Sequence, residues 1–223
     1  MTLQTMTRTA SAVLAAVALG TALSACAPLV IGGAAMGTLM AADRRTAGTQ
    51  VEDEGIEMRA GNRLRDAFGE RVHVNVTSYN RQVLLTGEVP SQQDRERAEQ
   101  TVLAVENVRS VVNDLAVMPA TTFTQRSNDT LITGKVRASL VDAKDLFASA
   151  FKVVTERNTV YLMGRVTQRE ADRATEITRG VNDVRKVVRV FEIITQEELE
   201  RGFAQQPQRP APVTTDPAAT QSR

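Results

Sequence analysis

Val72, Val74 and Val76 alternate with polar residues, the period-2 pattern of a strand with one buried face. Tyr79-Asn80-Arg81-Gln82 supplies turn residues, and Val83–Val89 follows as a second strand. Ser91 then stands as the N-cap of a helix with Asp94 three residues on, and that helix is expected to reach about Val105. A turn at Asn107 leads to a last strand, Arg109–Met118. The pattern then returns. Val160–Val166 is a strand, and Thr167 with Glu170 forms a capping box. A helix reaches about Gly180, a turn falls at Asp183, and Arg185–Ile194 is the closing strand. A further helix precedes each hairpin. In the second unit it spans about Asp129–Val141, with Ile132, Val136, Leu140 and Ala143 on one face. In the first unit the spacing predicts a short helix interrupted by Gly61.

The two units are copies. Ser91–Ala98 answers to Thr167–Ala174, Val105–Val112 to Val181–Val188, and Val83–Val89 to Val160–Val166. Pro90 has no partner in the second copy. Two units of this size imply two small domains rather than a solenoid. Each is expected to be α+β in the order α-β-β-α-β, a small mixed three-stranded sheet packed on two helices. The boundaries read as a leader at 1–25, a linker at 26–55, domains at 56–118 and 127–195, and a joining segment at 119–126. Residues 196–223 read as a short helical extension and a Pro-rich tail, expected to be disordered.

Composition narrows the chemistry. The chain has 223 residues and one cysteine, so no disulfide forms within it. The net charge of +1 and the expected export speak against a nucleic-acid partner. His73 is the sole histidine, and its place in the alternating strand puts it toward solvent. No metal site, cofactor or catalytic constellation is expected, and the chain is read as a non-enzyme. It contains no G-x-S-x-G, P-loop or H-E-x-x-H.

Arg8, the Ala-rich apolar run Ala10–Leu19 and Leu23-Ser24-Ala25-Cys26 have the layout of a secretory signal. The run is too short to span a bilayer, which takes ~20 apolar residues. The L-S-A-C ending resembles a bacterial lipobox, which implies acylation of Cys26 and a mature chain beginning there. Without acylation the same stretch reads as an ordinary export signal. Ala27, where an Asp would retain such a lipoprotein in the inner membrane, favours the periplasmic face of the outer membrane. The linker that follows would act as a leash with a reach of ~30 Å.

The repeat resembles the BON domain, the bacterial OsmY and nodulation module. The resemblance rests on the hairpin glycines Gly87 and Gly164 and on the segment Gly180-Val181, Val184, Val187. The first copy has Ala104 in place of that glycine. A lipobox followed by two such domains is similar to the dual-BON outer-membrane lipoproteins. That resemblance implies a structural turn role for Gly87, Gly164 and Gly180. It implies support of outer-membrane integrity, a link to the β-barrel assembly machinery, and binding of anionic phospholipid (phosphatidylglycerol or cardiolipin) by the first helix of the second domain. Leu131 stands where an enteric relative has Trp.

The charges agree in direction. Residues 56–118 carry 8 Lys/Arg and 9 Asp/Glu, whereas 127–195 carry 12 and 9. Leu131, Lys135 and Ala138 form a row beside the core face of the helix, with Arg137 near it. From the residues alone, Leu131 either completes the packing on the sheet or enters headgroups with Lys135. The resemblance favours the second. The competing function is a protein-interaction adaptor or chaperone-like factor for envelope assembly, with lipid contact incidental.

Overall fold

The computed structural model describes residues 43–204. The expected leader, Cys26, the lipid-proximal part of the linker and the Pro-rich tail lie outside the described residues.

Each domain opens with a long helix: α1 (Ala47–Phe68) and its counterpart α3 (Phe123–Asp142). Both start earlier than the periodicity suggested. Thr46 caps α1 by accepting from the Thr49 N–H, and Thr122 caps α3 by accepting from the Gln125 N–H. Residues 47–55 and 123–126, read as linker, are therefore helical. Gly61 does not interrupt α1, because the buried row Ile56, Ala60, Leu64 and Phe68 carries the helix past it.

The hairpins are β1 (His73–Tyr79) with β2 (Gln82–Val89), and β5 (Lys152–Glu156) with β6 (Thr159–Val166). Each turns through two residues of positive φ, Asn80-Arg81 and Arg157-Asn158. Next come the crossover helices α2 (Gln92–Leu103) and α4 (Gln168–Arg179), and strands that pair parallel with the hairpin's second strand. In the second domain that strand is continuous, β7 (Lys186–Ile193). In the first it breaks into β3 (Ser110–Asn113) and β4 (Ala116–Val117) rather than running through Arg109–Met118. At the break the Asn113 side chain accepts from the Leu115 N–H, and Leu115 turns into the core. A last helix, α5, covers Gln196–Ala204.

Each sheet buries one face on its own two helices. Val83, Leu85 and Val89 meet α1 and α2, and Val160, Leu162 and Val166 meet α3 and α4. The opposite faces are also buried, because the sheets pack on each other. Tyr79, Leu84, Tyr161, Met163 and Val190 form a third apolar cluster, with Val112, Val154 and Val188 against it. The result is four layers, helices–sheet–sheet–helices, and the described residues from Arg44 onward make one compact unit. The repeat therefore does not yield two independent bodies.

The glycine roles differ from the expectation. Gly87 and Gly164 lie within β2 and β6, not at the turns. A Cβ on Gly87 would stand 2.0 Å from the His73 carbonyl oxygen, at φ +113°, and one on Gly164 would stand 2.4 Å from that of Ala150. Close backbone approach is the reason for both. Gly180 is the C-cap of α4 at an ordinary φ of −77°, matched by Ala104 at −80° after α2.

Candidate functional site

Buried carboxylates organise both domains and join them. Asp53 on α1 accepts from the backbone N–H groups of Asn80 and Arg81 and from the Ser78 hydroxyl. Asp129 on α3 does the same for the N–H groups of Arg157 and Asn158. Each ties a helix to the tight turn of its hairpin. Burial alone would raise the Asp53 carboxyl, but these donors and Arg45 hold it below its usual value.

At the seam, Glu88 is fully buried. It accepts from Arg157 at 2.7 Å and from the N–H and hydroxyl of Thr121, and His73 Nδ1 lies 3.0 Å away. Glu156 accepts from Asn75 at 2.8 Å. Burial, and the Glu88 charge beside it, raise the Glu156 carboxyl, and the Asn75 amide offsets this only in part. His73 thus faces the second domain, not solvent, because that domain covers the outer face of β1. Ligand atoms of His73, Glu88 and Glu156 lie within 4.8 Å of one another, a grouping the sequence did not suggest. Both Glu88 oxygens are already engaged by donors, so the group is an ion-pair network whose cation is Arg157.

The described residues just ahead of α1 are fixed as well. Arg44 forms a two-pronged pair with Glu170 at 2.6 and 2.8 Å and donates to the Arg165 carbonyl. Glu170 also completes the Thr167 capping box. Burial would raise Glu170, but Arg44 and Thr167 bring it down to about 2. Arg45 lies 4.2 Å over the Tyr79 ring and pairs with Asp53. Arg44 and Arg45 therefore sit in the seam, and the second domain holds Arg44 before α1 begins.

The outward face of α3 presents Leu131, Gly134, Ala138 and Val141 in one exposed row. Leu131 is 65% exposed, so it does not finish the core. Lys135 and Arg137 flank the row on either side, both exposed. Lys135 pairs with Asp183 at 2.8 Å, and Arg137 leans toward the Val153 carbonyl at 3.4 Å. Phe123, 78% exposed, lies on the same side at the start of the helix. The structure thus brings Leu131, Lys135 and Ala138 onto one free surface, with Arg137 at its edge. On α1 the corresponding positions are Gly55, Arg59, Asn62 and Gly61. There the Arg59 guanidinium covers Gly55 and pairs with Glu52 at 2.6 Å, and Asn107 also donates to Glu52. Helix α1 carries five acidic and three basic residues, α3 two and three. No helix among the described residues is long and apolar enough to cross a membrane.

The BON family model matches residues 52–119 and 128–195, both copies of the α-β-β-α-β plan. The chain belongs to the BON-domain family. It is 37% identical over 174 residues, 77% of this chain and 90% of the relative, to the outer membrane lipoprotein DolP of Haemophilus influenzae. It is thus a dual-BON protein of the DolP type. It is also 35% identical over 154 residues to a 21 kDa hemolysin of Actinobacillus pleuropneumoniae, covering 68% of this chain and 79% of that one. The similarity to osmotically-inducible protein Y of Escherichia coli is 34% over 118 residues, 51% of this chain and 58% of that one. The family boundaries fall inside α1 and α3, consistent with helices that begin ahead of the repeat read from the sequence.

Proposed function

We propose that this chain is a non-enzymatic lipoprotein of the outer membrane, held at the periplasmic face by acyl chains on Cys26. In this reading the α3 face of its second BON domain binds anionic phospholipid, phosphatidylglycerol or cardiolipin. The observation that carries it is the exposed apolar row of Leu131, Ala138 and Val141 between two cations, on the helix with the smaller acidic content. Leucine and valine at an interface contribute apolar area, and each basic residue near an anionic surface contributes about 1 kcal/mol. Such a site is weak from solution. It is sufficient for a domain that a leash confines near headgroups. Binding of this kind would support envelope integrity and β-barrel assembly by setting where and in which orientation the protein docks.

The test is flotation with vesicles of phosphatidylglycerol or phosphatidylcholine, using the chain with Cys26→Ser. Lys135→Glu with Arg137→Glu should abolish binding to the anionic vesicles, and Leu131→Ala should weaken it. Unchanged binding would remove α3 from the account. Retention of an assembly-machine subunit by a chain that binds neither vesicle would instead favour the adaptor function. Mass spectrometry of the processed protein should find a diacylglyceryl thioether at its first residue.

A further inference from the structure

A second feature of the same domain lies where α4 meets β7. Arg179, Val184, Arg185, Lys186 and Val187 line a pocket of about 330 Å³. The local fold explains the clustering. Helix α4 ends at Arg179, Gly180 caps it, and Asp183 turns the chain at φ 72°. The Arg185 N–H then docks on the Asn158 carbonyl at 2.9 Å, and Lys186 opens β7. Cations from a helix end and a strand start thereby converge on one concavity.

The charges of this pocket are unused among the described residues. Among the described residues, none of the three cationic side chains makes a hydrogen bond or ion pair. Most other arginines and lysines of the domain are engaged, as in Arg157–Glu88, Arg165–Glu192, Arg173–Asp145 and Arg189–Asp172. The first domain is the internal control. Arg109 docks on the Arg81 carbonyl as Arg185 does on that of Asn158, and Ser110 enters the sheet against Gln82 as Lys186 does against Thr159. The three matching positions there are Leu103, Arg109 and Ser110, and Arg109 is paired with Glu192. The fold forms in the first copy with Leu103 and Ser110 at two of the three positions, so folding does not demand Arg179 and Lys186 in the second.

We propose that this pocket is the phosphate-binding subsite for the headgroup of an anionic phospholipid. The inference rests on the lipid-binding reading above and extends it beyond α3. Two guanidinium forks and an ammonium suit the oxygens of a phosphodiester, and Val184 with Val187 offers an apolar wall to glycerol carbons. The pocket is linked to α3 through the turn that precedes β7. Lys135 pairs with Asp183, two residues before Arg185, and the Asp183 carbonyl accepts from Asn158.

The experiment titrates the full chain with Cys26→Ser against dihexanoyl-phosphatidylglycerol below its micelle threshold, dihexanoyl-phosphatidylcholine, and inorganic phosphate. The pocket variant is Arg179→Gln, Arg185→Gln and Lys186→Gln, all exposed positions. The charge-matched control is Arg71→Gln, Arg81→Gln and Lys144→Gln. The pocket variant should bind phosphatidylglycerol on the order of a hundredfold more weakly, and the control within about threefold of the parent. Phosphatidylcholine and inorganic phosphate should bind far more weakly than phosphatidylglycerol. Equal losses in the two variants would overturn the pocket and leave the α3 reading standing. Inorganic phosphate or phosphatidylcholine binding as tightly as phosphatidylglycerol would overturn the assignment to an anionic headgroup. Absence of phosphatidylglycerol binding by the parent chain would bring down both the pocket and the lipid reading.

Discussion

The two BON domains share a backbone plan and a buried aspartate, yet they treat their outer surfaces in opposite ways. In the first, Arg59 folds over Gly55 and is neutralised by Glu52. In the second, Leu131 occupies the Gly55 position and is left open, and the cations at the end of α4 have no partners among the described residues. Duplication preserved what folding needs, the core row and the aspartate that holds the hairpin. It left the solvent faces free to diverge, and the second copy carries the open apolar row flanked by Lys135 and Arg137. The first domain contributes half of the seam.

Breaking the seam should have the largest effect. Tyr161→Ala removes a fully buried ring and the hydroxyl that donates to Asp114 at 2.8 Å. The loss should be about 4 kcal/mol. Urea unfolding should change from one transition to two, because the third apolar cluster is what makes the copies one cooperative unit. Next is Gly87→Ala, expected to cost about 3 kcal/mol through backbone contact and positive φ. Gly164→Ala should cost less, since only the contact operates there. Urea midpoints for the two variants measure that difference.

The leash clamp sharpens the contrast at α2 and α4. Asp94 in the first copy has no Arg44 counterpart. Glu170→Gln should cost about 3 kcal/mol by removing one member of a buried pair. The linkage has a definite sign. The folded Glu170 value of about 2 lies below the unfolded value of 4.5, so its contribution is complete above pH 4.5 and is lost as pH falls through 2. Acid titration of stability should therefore be shallower in Glu170→Gln over that window. Smallest of all, Gly180→Ala should change stability by less than about 0.5 kcal/mol, because Ala104 already occupies the equivalent cap at the same φ.

Much of the site was legible before the structure. The Ile132, Val136, Leu140 period fixed which face of α3 points inward, and so which residues remain on the other. What escaped were groups whose roles depend on distant partners. Asp53 read as linker and Asp129 as an ordinary helix residue, because nothing near them in sequence announces the hairpin N–H groups they hold. His73 read as solvent-facing, because alternation marks a strand's two faces without saying that a second sheet covers the outer one. Arg44 read as leash, and Arg179, Arg185 and Lys186 did not stand out, being divided between a helix end and a strand start.

The amino-acid order by itself determined the repeated α-β-β-α-β units, their caps and turns, the family, and the inward row of each helix. These follow from interactions among residues within a few positions of one another, where periodicity and capping chemistry act. The tertiary structure alone decided that the two copies share a sheet-on-sheet core, that Glu170 holds Arg44, and that Arg179, Arg185 and Lys186 meet in one pocket. The first two outcomes join residues tens of positions apart, which only the packed chain brings within contact distance, and the pocket depends on how a helix end meets a strand start.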